Sequence, residues 1–236
     1  MVTPRIRIDL REALLDELRF GLGFLRRHAW TLLLLFAGLL LPLWGFAELA
    51  DEVREGEPFG FDEPLLLLAQ RMAHDGFDRA FLFFSAVGYQ YGVVPIDVLL
   101  IAVLALFRRE REGLFAGVAI IGSALLNLAT KQFFARERPS LWESIAPETT
   151  YSFPSGHAMG SMTLAMVFIL LAWPTRWRWP ALVAMAAFVV MVGLSRIYLG
   201  VHYPSDILAG WAAAMAWVAG VYLTIFRRGP RPWRTR

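Results

Sequence analysis

Six apolar stretches, each about as long as a bilayer is thick, run through this chain at residues 29–47, 80–107, 114–134, 156–173, 180–199 and 204–226. About 20 consecutive apolar residues cross the ~30 Å hydrocarbon layer as a helix. None of the six alternates with period two, so they read as helices and not as barrel strands. Backbone groups in lipid have no water to bond, which favours elements that satisfy their own N–H and C=O groups. The chain is 57% hydrophobic with a mean hydropathy of +0.51, above the roughly 45–50% apolar content of soluble domains. The sequence therefore predicts an all-α integral membrane protein with six transmembrane helices in one bundle.

Ahead of the first span, Ile6, Leu10, Ala13, Leu14 and Leu18 recur at helical spacing, with Arg11, Asp16, Glu17 and Arg19 between them. This pattern reads as an amphipathic helix lying in the membrane interface. The expected organisation is that helix over 1–28, a six-helix domain over 29–226 and an Arg-rich tail over 227–236. Trp30 and Trp44 mark the interfaces of the first span. Residues 48–79 carry nine acidic residues and three Arg around a short apolar run, Leu65–Leu68. Lying on the outer side, that run fits a cover over the site's access path.

Six crossings put both termini on one side. Segments 1–28, 108–113, 174–179 and 227–236 carry 6, 3, 2 and 5 Arg, against seven basic residues in all the rest. The positive-inside bias makes the Arg-rich side, and so both termini, cytoplasmic. Basic residues clustered between apolar runs also explain the net charge of +3 without nucleic acid as a partner. The absence of Cys removes disulfides, thiolate metal sites and thiol nucleophiles. Among 23 basic residues Lys131 is the sole Lys.

Three polar clusters fall on the outer side. Lys131 and Arg138 are seven residues apart, two turns if the helix continues, so both can share a face. Pro139 disfavours helix at Arg138, where the chain is expected to leave it. Pro154-Ser155-Gly156-His157 precedes the fourth span; Ser155 suits an N-cap, and free N–H groups at a helix start bind anions. Ser195-Arg196, His202 and Asp206 form the third cluster, with Pro204 in the first turn of the last helix. Asp206 is then near enough to hold the His202 imidazole.

Taken singly, each of these has a plain reading. Lys131, Arg138 or Arg196 suits a snorkelling interfacial chain, either His an interfacial hydrogen bond, and Asp206 a helix cap. Taken together, the topology brings three cations, two histidines and one carboxylate to one face. Three cations suit a dianionic phosphoryl group. Two histidines can supply a nucleophile and an acid. The carboxylates are too few, and the cations too many, for a metal cage.

Read in order, Lys131-x6-Arg138-Pro139, Pro154-Ser155-Gly156-His157 and Ser195-Arg196-x5-His202-x3-Asp206 resemble the three-part signature of the type 2 phosphatidic acid phosphatase superfamily. That superfamily includes bacterial undecaprenyl pyrophosphate and phosphatidylglycerophosphate phosphatases, soluble acid phosphatases and vanadium haloperoxidases. Every signature position is filled, over roughly residues 80–226. The resemblance implies that His202 attacks phosphorus and forms a phosphohistidine, with Asp206 orienting it. His157 protonates the leaving oxygen and then activates water. Lys131, Arg138 and Arg196 clamp the phosphoryl oxygens, assisted by Ser155 and the Gly156 N–H. No metal and no cofactor are implied. The implied partner is a lipid phosphate within the bilayer, met at the extracytoplasmic face of a bacterial cytoplasmic membrane. Undecaprenyl pyrophosphate ranks first as substrate, ahead of phosphatidylglycerophosphate, phosphatidic acid and lipid A phosphates. A lipid phosphotransferase would use the same site.

Several residues fall outside the signature. Asp97 lies within the second span and reads as a bundle-facing group bonded to a neighbouring helix. Asn127, four residues before Lys131, fits either an orienting partner of that Lys or a helix-pairing contact. Tyr89, Gln90 and Tyr91 fit either interface anchors or the rim of the substrate entrance. A transporter is disfavoured because the polar clusters lie at one face and not at mid-membrane, and no inverted repeat is present.

Overall fold

A computed structural model describes residues 10–227 and 232–233. Every regular element among them is helical. The first is one continuous rod: α1 (Leu10–Leu33), a π-helical segment (Leu34–Leu40) and α2 (Leu41–Glu55). There is no break near residue 28, where an interfacial helix was expected to give way to a separate span. Pro42, just past the π segment, cannot donate to the carbonyl four residues back, and its ring crowds that carbonyl. The wider π turn is where this disruption is absorbed. The rod passes the expected end at residue 47 and stops at Gly56, which is left-handed (φ 76°). Residues 1–9 of the expected amphipathic segment lie outside the described residues.

Then come α3 (Asp62–Arg71), α4 (Asp75–Val87), α5 (Val93–Leu106), α6 (Glu110–Phe134), α7 (Gly156–Ala172), α8 (Arg178–Tyr198) and α9 (Pro204–Phe226). By length and composition the rod (from Glu17), α6, α8 and α9 can each cross a membrane, while α5 and α7 are apolar but shorter. The second span expected over 80–107 is thus two helices. The chain leaves α4 at Gly88 and enters α5 at Gly92, where a Cβ would stand 2.2 Å from the Val87 carbonyl oxygen. Only glycine permits so sharp a return. α4 packs on α8, where the Tyr198 hydroxyl donates to Asp78 Oδ1 at 2.5 Å.

α7 is the central helix, packed by α9, α8 and α6. Helix association in lipid has little hydrophobic drive and favours small residues that let backbones approach. Ala116, Ala119, Ala158, Ala165, Ala214 and Ala219 are all buried. Gly210 lets α9 approach the α7 backbone: a Cβ there would lie 2.9 Å from the Ser155 carbonyl oxygen and 3.1 Å from the Met159 nitrogen. This contact brings the first turns of α7 and α9 together.

The two ends of the bundle differ. At one, Trp30 stacks on Trp173 at 4.4 Å, Arg111 donates to the Ile225 carbonyl at 2.7 Å, and Trp233 Nε1 donates to the Leu171 carbonyl at 2.6 Å. At the other are the C-terminal ends of α6 and α8, the N-terminal ends of α7 and α9, and the 135–155 connection.

The atoms facing Gly210 are backbone of Ser155 and Met159 and the Ala158 Cβ, none of which can rotate away. Gly210→Ala should cost about 1–3 kcal/mol by overpacking and lower the thermal midpoint in detergent. Gly117→Ala, with nothing within 4 Å of its Cβ, should not. Equal stability of the two variants would contradict this account of the α7–α9 contact.

Candidate active site

The site is assembled around the α8–α9 turn. Gly200 makes the turn with φ 66°, and a Cβ there would meet Trp142 at 2.5 Å. His202 follows, fully buried, and Pro204 opens α9. Asp206, in the first turn of α9, accepts from the Tyr203 N–H at 2.9 Å through Oδ2. The same oxygen accepts from the Ser152 hydroxyl and lies 3.3 Å from His202 Nδ1. On the far side of the ring, Arg138 Nη1 lies 3.1 Å from His202 Nε2. A guanidinium can only donate, so Nε2 presents its lone pair and Nδ1 carries the proton toward Asp206. Burial, reinforced by the charges of Arg138, Arg196 and Lys131, holds this imidazole well below its ordinary range. The ring is therefore neutral at physiological pH, and its Nε2 lone pair accepts from Arg138.

Arg138 contacts that nitrogen, and Lys131 and Arg196 add two further positive charges near the ring. Lys131 and Arg138 do not share a helix face. α6 ends at Phe134 and Ala135 is left-handed (φ 46°), so Arg138 reaches the site from the connection. The two converge on Thr150: Lys131 Nζ lies 3.4 Å from Thr150 Oγ1 and Arg138 Nη2 lies 3.1 Å from it. Lys131 also donates to the Tyr151 carbonyl, and Arg138 to the carbonyls of Thr150 and Val201, each at 2.6 Å. Arg196, 1% exposed, donates to the Ser85 hydroxyl and to Glu148.

His157 lies in the first turn of α7 beneath the Tyr89 ring, centroid to centroid 5.1 Å. Tyr89 is thus part of the site wall. Ser155 caps α7, its hydroxyl accepting from the Ala158 N–H at 3.4 Å. Its own N–H donates to the Asp206 carbonyl at 3.1 Å, which binds the α7 start to the α9 start. Gly156 opens the helix where N–H groups have no intrahelical acceptor. Asn127 donates to the Pro154 carbonyl at 3.2 Å; of its two readings, the structure has it tie α6 to the start of α7. A polar cavity of about 550 Å³ is lined by Ser85, Tyr89, Lys131, Glu148, His157 and Arg196 among others; His202, fully buried, lies behind this lining. Asp97 is buried, as expected of a bundle-facing group, but its Oδ1 has no hydrogen-bond partner among the described residues. It lines an adjoining, mostly apolar cavity of about 440 Å³.

Sequence reasoning missed a supporting layer. Arg136 donates to Asp206 Oδ1 at 2.6 Å and to Asp62 Oδ2 at 3.1 Å. Its guanidinium lies 4.1 Å from the Tyr203 ring centroid. Asp62, at the start of α3, also accepts from the Ser205 N–H at 2.8 Å and its hydroxyl at 2.5 Å. The acidic segment therefore reaches the site through Asp62, and α3 packs on α8 and α9. One signal could have found Arg136: it is among the seven basic residues outside the Arg-rich side.

Residues 112–230 match the PAP2 superfamily. The chain is 29% identical over 209 residues to an undecaprenyl-diphosphatase of Sulfolobus acidocaldarius, covering 86% of this chain and 93% of that one. It is 31% identical over 128 residues to phosphatidylglycerophosphatase B of Bacillus subtilis, covering 52% of this chain and 63% of that one. Its fold matches the crystal structure of a transmembrane PAP2 type phosphatidylglycerolphosphate phosphatase from Bacillus subtilis with a TM-score of 0.71. That pair is 22% identical, and the match covers 83% of this chain and 98% of the other. A helical membrane frame with a basic site at one end, set beside these relatives, defines an integral membrane lipid phosphate hydrolase. The chain belongs to the PAP2 superfamily, the type 2 phosphatidic acid phosphatases.

The supporting layer has a kinetic consequence. Asp62→Asn weakens the hold on Arg136, and through it on Asp206 and the His202 ring. Misplacement of a reacting group can cost up to about 100-fold in rate. We expect kcat for lipid phosphate hydrolysis to fall about 10- to 100-fold with a smaller change in KM, and Asp62→Glu to recover part of it. An unchanged kcat in a folded Asp62→Asn protein would contradict the role of this layer.

Proposed function

We propose that the chain hydrolyses the terminal phosphate or pyrophosphate of a membrane lipid through a phosphohistidine on His202, with undecaprenyl pyrophosphate as the first-ranked substrate. The observation that carries this reading is the state of His202: buried, neutral, its Nδ1 proton directed at Asp206 and its Nε2 lone pair facing Arg138. In the first step Nε2 forms a bond to phosphorus, and the bond from phosphorus to the lipid-side oxygen breaks. His157 gives that oxygen a proton. Asp206 stabilises the imidazolium character of the phosphorylated ring. In the second step His157 takes a proton from water, the water oxygen bonds to phosphorus, and the P–N bond breaks to release phosphate.

Phosphoryl transfer needs chiefly positioning and charge stabilisation. Lys131, Arg138 and Arg196 supply both, with the Gly156 N–H and Ser155 at the α7 start, so the reaction runs without a divalent metal. The substrate's tail lies in the apolar cavity between α5, α6 and α7, which shares Tyr89, Asn127, Leu128 and Gly156 with the polar one. The ranking of substrate is supported by the relative matched over most of both chains, which is named for undecaprenyl diphosphate.

The topology follows the same reading. The rod, α5, α6, α7, α8 and α9 make six crossings, with α5 and α7 eked out by the irregular backbone at the site end. The Arg-rich connections lie at the opposite end, which the positive-inside bias assigns to the cytoplasm. Both termini are then cytoplasmic, and the site opens to the periplasm or exterior of a bacterial cytoplasmic membrane.

Detergent-purified protein in EDTA should release phosphate from one lipid of a panel: undecaprenyl pyrophosphate, phosphatidylglycerophosphate, phosphatidic acid and a lipid A phosphate. His202→Ala should abolish multiple turnover while lipid binding persists. Turnover surviving in His202→Ala, or strict dependence on added divalent metal, would overturn the mechanism.

A further inference from the structure

Glu148 is the acidic side chain among the cations. Its Oε2 accepts from Arg138 Nη2 at 2.6 Å and lies 4.0 Å from His202 Nε2. Its Oε1 accepts from Arg196 Nη2 and lies 3.7 Å from His157 Nδ1. One carboxylate thus bridges two of the phosphoryl-clamping residues and faces both histidines. A carboxylate offers guanidinium groups the same kind of charged oxygen acceptors as a phosphoryl group. Attack from His202 Nε2 requires the phosphorus within about 3–3.5 Å of it, in the space the Glu148 oxygens border. The carboxylate and a bound headgroup cannot both be seated there.

Two further observations fit an internal occupant. Arg196 Nε is buried without a hydrogen-bond partner among the described residues, so the carboxylate leaves one guanidinium donor unused that a tetrahedral group with three free oxygens can take up. Glu148 also belongs to the non-helical 135–155 connection. At 27% side-chain exposure, against 1% for Arg196 and 12% for Arg138, it reaches in from the solvent side. It can swing out without unwinding a helix.

We propose that Glu148 fills the phosphoryl seat of the resting site and competes with phosphate for it, making the seat selective for dianionic terminal phosphates over monoanionic phosphodiesters. The inference rests on the phosphatase reading above. Buried cations without a counter-charge are costly, so a carboxylate settles among them when no headgroup is present. A terminal phosphate or pyrophosphate brings more charge and more acceptors and displaces it. The single negative charge of an ordinary membrane phosphodiester does not. After turnover the returning carboxylate helps expel product phosphate. In these terms the apparent dissociation constant for phosphate is the intrinsic one divided by the fraction of sites with Glu148 swung out.

The test needs no lipid substrate. Inorganic phosphate is titrated into detergent-purified protein at constant ionic strength, and its stabilisation against thermal unfolding gives the affinity; the same scans report whether each variant is folded. Glu148→Gln and Glu148→Ala should bind inorganic phosphate at least about tenfold tighter than the wild type, the occupied fraction of seats having been released. Glu148→Asp, which keeps the charge, should stay much closer to the wild type. Phosphatidylglycerol should also protect Glu148→Gln more strongly than the wild type. Equal or weaker phosphate affinity in the folded Gln and Ala variants would overturn the proposal and make Glu148 a support for Arg138 and Arg196. Failure of the wild type and all variants to bind inorganic phosphate would instead count against the basic cage as a phosphoryl seat, and the proposal would fall with it.

Discussion

Asp206 is a buried carboxylate placed in a helix bundle, and each of its three oxygens has a hydrogen-bond partner. Oδ2 takes the Tyr203 N–H, the Ser152 hydroxyl and the His202 ring. Oδ1 takes Arg136, and its backbone carbonyl takes the Ser155 N–H. A buried charge is tolerable only when paired and fully hydrogen-bonded, and breaking such a pair costs about 3–5 kcal/mol. That requirement dictates the rest of the site end. Five segments of the chain must meet at one carboxylate: the start of α9, the turn before it, the connection, the start of α7 and, through Arg136 and Asp62, the start of α3. The geometry of His202 is a consequence of this meeting.

The outer layer is electrostatic in a different way. Lys131, Arg138 and Arg196 point at one space, and protein oxygens from residues 148–151 answer them in part. An anion-binding site in a membrane protein has to keep its cations solvated or paired between substrates, because an unpaired charge there is expensive. The connection meets this need with carbonyls, a hydroxyl and Glu148. These acceptors are displaceable, unlike those of Asp206, since they come from irregular chain and not from a helix. Fixed pairing under the nucleophile and exchangeable pairing over it are what a site that binds and releases phosphate needs.

Periodicity and residue type made the helices, the first turn at Pro204 and the Ser155 cap legible in the sequence. They did not reveal that the second apolar stretch breaks. Glycines at 88 and 92 were readable as breakers, but their weight depends on a close approach to the Val87 carbonyl that only the folded chain has. The seven-residue spacing of Lys131 and Arg138 suggested one helix face, yet the helix ends before Arg138 and loop geometry does the work. Glu148, Asp62 and Ser85 carry no local signal: a lone acid in a connection and one acid among nine look like solvated charge. Their roles depend on contacts between residues 48 to 143 positions apart in the chain as well as on nearer ones, and no pattern of short period encodes the distant ones. Arg136 is intermediate, marked by sitting on the Arg-poor side.

The central claim is that the neutral Nε2 of His202 attacks phosphorus. It is tested most directly by rapid acid-free quenching of a single turnover with a lipid carrying a radiolabelled terminal phosphate, followed by peptide mapping. The account predicts a transient, acid-labile phosphoryl group on His202, formed and lost within one turnover. It should be absent in His202→Ala, and should form and decay more slowly when His157 is replaced. Full hydrolysis of the lipid with no label on the protein at any time, or label on another residue, would contradict it.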